Sequence, residues 1–274
     1  MRKLLKVLLI LLLTVAAFYL YARAEARWDP VVRTATIKLP RWPAGIKPVR
    51  AVLISDIHIG SDTMDEARLS RIVDQINALN PDIVLIAGDF IYGHDPHGAK
   101  TKGQALVAPL KKLHPPLGVV AVLGNHDHWT GLDDVTSLLA QARVTVLVND
   151  VTARGPIAIG GVDDDYTHHA DIAATMAKLR PFEGARLILT HSPDIAPRLP
   201  GDVHLLLAGH THCGQGVLPI YGPVASVSRF GDRYRCGLVL DPGRAVIVTG
   251  GLGTSGPPLR FGAPPDLWLI TLQG

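Results

Sequence analysis

Five short apolar runs in this chain stop on side chains able to bind a cation or carry a proton. Val49–Ile54 stops at Ser55-Asp56-Ile57-His58, and Ile83–Ala87 stops at Gly88-Asp89. The run 119–123 ends in Gly124-Asn125-His126-Asp127, the run 187–190 in His191, and Leu205–Ala208 in Gly209-His210-Thr211-His212. A single Asp after a strand is ordinarily a turn or cap residue, and a single His an ordinary hydrogen-bonded one. Five such endings on one sheet edge are harder to dismiss. Open α/β sheets bind ligands in the crevice at the carboxyl ends of their strands. Convergence there would gather carboxylates, an amide and imidazoles into one mixed oxygen and nitrogen donor set. Such a set suits Zn, Mn or Fe better than a lone Ca or Mg ion.

The elements that must position these residues are visible in the pattern. Thr63-Met64-Asp65-Glu66 has capping-box spacing, and Leu69, Ile72, Val73, Ile76 and Leu79 follow at helical intervals up to Pro81. Leu132, Val135, Leu138, Leu139 and Ala142 make a second apolar stripe, and Ile172, Met176 and Leu179 a weaker third. From about Val217 the helical period disappears, leaving strand-like runs at 238–240, 245–248 and 267–272. Alternating strands and helices followed by strands predict an α/β fold with covered sheets. Residues 29–48 carry four prolines and read as a connector, with an edge strand at 34–39. Residues 49–274 then form a single domain.

Residues 1–28 differ in kind. Leu4 to Ala22 is apolar apart from Lys6, and as a helix it would span roughly 28 Å, close to a bilayer core. Phe18, Tyr19 and Tyr21 fall where interfacial rings sit, and the more basic amino flank places the body outside the cytoplasm. The alternative is a signal peptide cleaved after Ala22-Arg23-Ala24 or Ala24-Glu25-Ala26, which would release a secreted protein. The chain has a formal charge of +3, but the leader holds five basic residues against one acidic, leaving 22 against 23 in the body. A nucleic-acid scaffold is therefore not expected. Hydrophobic residues at 47% exclude a disordered chain, and two cysteines exclude a disulfide-stapled scaffold.

The five endings reproduce, in order, the motifs of the calcineurin-like metallophosphoesterases: D-x-H at Asp56-Ile57-His58, G-D at Gly88-Asp89, G-N-H-[DE] at Gly124-Asn125-His126-Asp127, His191, and G-H-x-H at Gly209-His210-Thr211-His212. The sequence resembles that family over about 49–212. The stretch from Gly250 to Asp266 looks like its membrane-anchored bacterial branch, which includes phosphodiesterases and UDP-2,3-diacylglucosamine hydrolases. The resemblance implies a four-layer αββα sandwich, preceded here by the apolar helix, with two divalent ions (Mn, Fe or Zn). One ion would be held by Asp56, His58, Asp89 and His212, the other by Asp89, Asn125, His191 and His210, with Asp89 bridging. A hydroxide between the ions would attack a phosphoester in line. His126, oriented by Asp127, would stabilise developing charge or protonate the leaving oxygen.

The substrate class left open is a phosphodiester, a lipid-linked phosphoester or a nucleotide-sugar pyrophosphate near the membrane. A non-catalytic metal-dependent envelope protein and a dinuclear amide or ester hydrolase are the competing classes. Several other residues are read as bland. Asp163-Asp164-Asp165 with His168 and His169 are expected to be a solvated acidic loop, and Cys213 and Cys236 two free thiols. His94 and His97 lie in a loop that could contact substrate, and His128 and Trp129 could line the crevice or simply pack. Arg229, Arg233 and Arg260 are either partners for a second phosphate or salt-bridged surface residues.

Overall fold

In the strand Val49–Ile54, Ala51 and Leu53 point to one face and Val52 and Ile54 to the other, and all four are fully buried. A strand buried on both faces must lie between two layers. The computed structural model, which describes residues 1–274, shows those layers. In chain order the elements open with α1 (Arg2–Glu25), β1 (Val31–Lys38), β2 (Val49–Ile54), α2 (Glu66–Ala78), β3 (Ile83–Ala87), α3 (Gly98–Lys102) and α4 (Gln104–Lys111). There follow β4 (Val119–Val122), α5 (Asn125–Thr130), α6 (Leu132–Gln141), β5 (Val144–Val146), β6 (Asp150–Arg154) and β7 (Ile157–Gly161). The second half holds α7 (Ile172–Leu179), β8 (Ala185–Leu189), β9 (Leu205–Ala208), β10 (Val217–Leu218) and β11 (Gly222–Pro223). It closes with β12 (Gly237–Asp241), β13 (Arg244–Val248) and β14 (Asp266–Gln273).

Two six-stranded sheets run in the orders β1-β14-β2-β3-β4-β5 and β12-β13-β9-β8-β7-β6. Strands β2 to β5 are parallel neighbours in the first, and β7, β8, β9 and β13 in the second. Leu53, Leu85 and Val122 of one sheet meet Ile159, Leu189 and Leu207 of the other in an apolar layer between them. On the outer face of the first sheet, Val52, Ile54 and Val84 pack under Leu69 and Ile72 of α2, Leu106 of α4 and Val135 of α6. On the outer face of the second, Ala158, Ile188 and Leu206 pack under Met176 and Leu179 of α7. The result is the expected αββα sandwich, with the two runs of parallel strands ending at a common edge.

The expected edge strand is present and longer, as β1, paired in parallel with β14. The helix expected after Thr63 instead takes Asp65 as its cap, whose carboxylate accepts the Arg68 N–H at 2.8 Å. Thr63 is drawn away to the Thr254 hydroxyl at 2.9 Å. Helices α3 and α4 were not expected, because they are short and α4 contains Pro109.

Helix α1 is long and apolar enough to cross a membrane by length and composition. Its apolar shaft is exposed, but its carboxyl end is docked: Ala22, Glu25 and Ala26 are buried. The Glu25 carboxylate accepts the N–H groups of Gly262 at 3.2 Å and Ala263 at 3.1 Å, and the Ala22 carbonyl accepts that of Arg260 at 3.0 Å.

Candidate metal centre

All seven candidate ligands lie in the first residues beyond a strand. Asp56 and His58 follow β2, Asp89 follows β3, Asn125 begins α5 after β4, His191 follows β8, and His210 and His212 follow β9. Five of them share an unusual backbone: Asp56, His58, Asp89, His210 and His212 have φ of 51°, 51°, 60°, 71° and 50°. Non-glycine residues in that left-handed region carry strain on the order of 1–3 kcal/mol each, and they persist only where surroundings hold them. The glycines before Asn125 and His210 are required by close approach. A Cβ on Gly124 would fall on the Asp89 carboxylate, and one on Gly209 on Ser55 and Asp56.

Backbone carbonyls and carboxylates together hold this backbone: the Asp56 N–H donates to the Gly88 carbonyl at 2.9 Å and the His58 N–H to the Asp89 carbonyl at 3.1 Å. Asp127 accepts the N–H groups of Asp89 at 2.9 Å, Phe90 at 2.8 Å and Gly124 at 2.9 Å. Oδ1 of Asp89 accepts the His126 N–H at 2.9 Å. Oδ2 of Asp56 accepts the His210 N–H at 3.1 Å and the Ser55 hydroxyl, tying the second sheet to the first. A second tie runs from His191 Nδ1, which donates to the Ala87 carbonyl at 2.6 Å. Asp56 and Asp89 thus each spend one oxygen on backbone and keep one. Oδ1 of Asp56 is buried without a partner. Oδ2 of Asp89 lies 3.6 Å from His58 Nε2 and 3.2 Å from His191 Nε2.

These free atoms fall into two groups that share Asp89. On one side, His58 Nε2 and His212 Nε2 are 3.3 Å apart, and Asp56 Oδ1 is 3.3 Å from His212 Nε2 and 3.9 Å from His58 Nε2. On the other, His191 Nε2 is 3.1 Å from both Asn125 Oδ1 and His210 Nδ1. Donors ~2.0–2.1 Å from one tetrahedral ion are roughly 3.3–3.4 Å from each other, so the spacing fits divalent metal ions. The orphaned Asp56 oxygen fits as well, since a buried carboxylate oxygen with neither donor nor cation is costly.

Electrostatics point the same way. Burial pushes the His58 and His210 imidazoles down to about 3 and His212 well below its ordinary value, leaving neutral rings with a lone pair to give. Burial also pushes Asp56 up to about 6. Burial would lower His191 too, but Asp89 beside it raises it well above the usual imidazole range. Asp89 is raised by burial yet held well below the carboxylate range, first by His191 and then by His126. A positive charge is favoured between Asp89 and His191, which a divalent ion would supply.

His126 stands beside both groups, its ring 4.7 Å from that of His58. Its Nδ1 donates to the Gly93 carbonyl at 2.8 Å, so Nε2 is the free nitrogen, 3.4 Å from the Ser255 hydroxyl. Asp127 does not orient this ring, contrary to expectation. Its oxygens are used up by three backbone N–H groups, and it acts one layer below as a clamp on the Asp89 and Gly124 turns.

Other expectations are also corrected. Asp163, Asp164 and Asp165 are buried, not solvated. They follow the short strand β7, whose Gly160-Gly161 ending hid it in the sequence. Asp163 meets His128 Nε2 at 3.0 Å, and Asp165 pairs with Arg198 and Arg229. His128 therefore packs, stacked on His169 at 4.0 Å, while Trp129 and His94 line the cavity. Cys213 and Cys236 form a disulfide with Cα atoms 4.7 Å apart, because the β10–β11 hairpin folds the intervening chain back on itself. Arg233 is paired with Asp241 at 2.9 Å. Arg260 is fully buried, donating to the carbonyls of Gly250 at 2.7 Å, Gly253 at 2.6 Å and Ala263 at 2.8 Å. Tyr166, which no motif marks, and Ser255, inside the Gly250–Asp266 stretch but given no role there, line the cavity beside His210 and His126.

The metal centre opens into a cavity of about 710 Å³ that runs past Trp129 and Tyr166 to Leu218, Val224 and Phe18 of α1. Residues 49–214 match the calcineurin-like phosphoesterase family, which is more than half of the chain. The chain belongs to that family. It is 32% identical over 270 residues to the uncharacterized metallophosphoesterase YkuE of Bacillus subtilis, covering 95% of this chain and 92% of that one. An uncharacterized metallophosphoesterase of Aquifex aeolicus is 31% identical over 249 residues, covering 89% and 92%. A Danio rerio transmembrane protein with metallophosphoesterase domain is 29% identical over 96% of this chain, which spans 62% of that longer protein. This calcineurin-like protein is a metal-dependent phosphoesterase. Relatives named as transmembrane proteins, together with α1, suggest that it associates with a membrane.

Asp127→Asn keeps the shape of the clamp but turns a donor onto a backbone N–H. It should lower the unfolding free energy by about 1–3 kcal/mol in urea titrations. Unchanged stability with reduced turnover would return Asp127 to the role of orienting His126.

Proposed function

We propose that this protein is a dinuclear phosphodiesterase held at a membrane by α1, with its catalytic domain on the extracytoplasmic side. Asp56, His58 and His212 would hold one ion, Asn125, His191 and His210 the other, and Asp89 both. Oδ1 of Asp89 is taken by the His126 N–H, so Oδ2, which faces His58 and His191, is the oxygen Asp89 would offer to the ions. Bound there, two divalent ions supply charge neutralisation at the phosphoryl oxygens and an acidified water as nucleophile. His126 presents Nε2 to the cavity, where it can stabilise charge on the phosphoryl group or hand a proton to the leaving oxygen. Trp129 and Tyr166 wall the reacting end.

The observation that carries the diester reading is the scarcity of cations around the cavity. Arg260 is the only Lys or Arg among its lining residues, and its guanidinium is already occupied by backbone carbonyls. A monoester dianion or a diphosphate would place additional negative charge beyond the ions with no free Lys or Arg side chain to meet it. Arg229 and Arg233, the sequence candidates for a second phosphate, are bound to Asp165 and Asp194 and to Asp241. A phosphodiester carries a single negative charge and can extend an apolar group along the cavity.

Metal-loaded protein should turn over bis(p-nitrophenyl) phosphate at least about tenfold faster than p-nitrophenyl phosphate. His126→Ala should lower kcat on the diester by ~10²–10⁴-fold while leaving metal content intact. A monoester preference, or metal loss on removing His126, would sink the respective assignment.

The disulfide supports the extracytoplasmic side, since such bonds persist in oxidising compartments. The docked end of α1 supports an uncleaved anchor. A cut at either small-residue site would remove Ala22, the acceptor of the Arg260 N–H, and the later cut would also remove Glu25. Mass spectrometry of protein recovered from membranes should therefore find the peptide containing Leu20 and Tyr21 still attached. A mature chain starting at Glu25 or Arg27 would contradict this.

A further inference from the structure

The segment from Gly214 to Ser228 carries no charged residue. It holds the β10–β11 hairpin, whose tip residues Ile220 and Tyr221 are exposed, as are Val224 and Val227 after it. Surface loops of water-soluble domains rarely gather apolar side chains without a charge among them. Nothing in the fold covers these four residues.

The position of the hairpin says what does. Its first strand leans on the segment around Phe261: the Val217 N–H donates to the Phe261 carbonyl at 2.7 Å, and Gly216 bridges to Phe261. The Phe261 ring in turn packs on α1, 4.5 Å from Phe18 and 5.6 Å from Tyr21. Tyr21 meets Trp28 edge-on at 5.7 Å. Tyr and Trp collect at the headgroup level of a bilayer, which sets that level at the carboxyl end of α1. Phe261 therefore lies at that level, and the hairpin is continuous with it.

We propose that the β10–β11 hairpin is a second membrane contact, its tip inserted among the lipids beside α1. Docked in this way, Leu218, Val224 and Val227 on the hairpin side and Phe18 on the α1 side flank the apolar end of the catalytic cavity, which then opens at the lipid surface. Interfacial binding scales with the apolar area buried at the acyl boundary, and the hairpin offers such area with no charge that would have to be desolvated. The inference rests on α1 lying in the bilayer, as proposed above, but not on the choice of phosphoester.

Full-length Ile220→Trp protein should be placed in nanodiscs of phosphatidylcholine with or without bromine on the acyl chains. The emission gained over wild type should fall at least about twofold with brominated lipid, as expected for an indole seated at the acyl boundary. Equal emission in both discs would overturn the inference. Adding Tyr221→Asp should restore most of that emission. Quenching that survives the added charge would mean that α1 merely holds the tip near the lipid, which also overturns it. Turnover of bis(p-nitrophenyl) phosphate in the same discs reads the phosphodiesterase separately, because neither tip residue lines the cavity.

Discussion

Each of the two ion-facing carboxylates at the sheet edge serves two masters. One oxygen of Asp56 and one of Asp89 hold a neighbouring turn by its N–H, and the other oxygen is left facing imidazoles. Asp127 commits both oxygens to the same task one layer deeper. These acceptors hold the turns at Asp89 and His210, backbone carbonyls hold those at Asp56 and His58, and the left-handed turns in turn aim the imidazole nitrogens to within 3–4 Å of one another. Without the hydrogen bonds the backbone would relax, and without a cation the free oxygens and nitrogens would stay unsatisfied. Local strain and metal affinity are two sides of one arrangement.

The same edge is tied to the membrane end of the molecule. Arg260 threads between the turn at Gly250–Gly253 and the candidate ligand His212, whose Nδ1 lies 3.3 Å from its guanidinium. The next residues, Gly262 and Ala263, donate their N–H groups to Glu25 at the end of α1. The Cys213–Cys236 bond secures the loop that follows His212. The metal centre, the cavity and α1 thus meet in one stretch of irregular chain whose conformation is fixed by a buried cation and a buried carboxylate. This accounts for a helix of membrane-spanning composition ending in contact with an enzyme core, without a free linker between them.

Much of this was legible before any coordinates. Strand ends carry short, distinctive motifs; β2 and β3 show as apolar runs because both their faces are buried, and a period of 3.6 residues survives in α2 and α6 because each buries one face. What escaped were features whose signal is tertiary. Strand β7 ends in two glycines and lacks the Val, Ile and Leu run of the other strands, so nothing in the sequence marks Asp163–Asp165 as a strand end. The cysteines are separated by 23 residues, and only the hairpin brings them together. Arg260 and Asp127 have types that suggest substrate and catalysis, while their roles are decided by which backbone groups lie within 3 Å. Thr63 lost the cap of α2 to Asp65 for the same reason, a competing partner distant in sequence.

The central claim is that these seven side chains hold two cations sharing Asp89. Anomalous diffraction from crystals soaked in manganese tests it most directly. The account predicts two peaks ~3.5–4 Å apart, one against Asp56, His58 and His212 and the other against Asn125, His191 and His210, with Asp89 between them. A single peak, or peaks elsewhere on the surface, would contradict it.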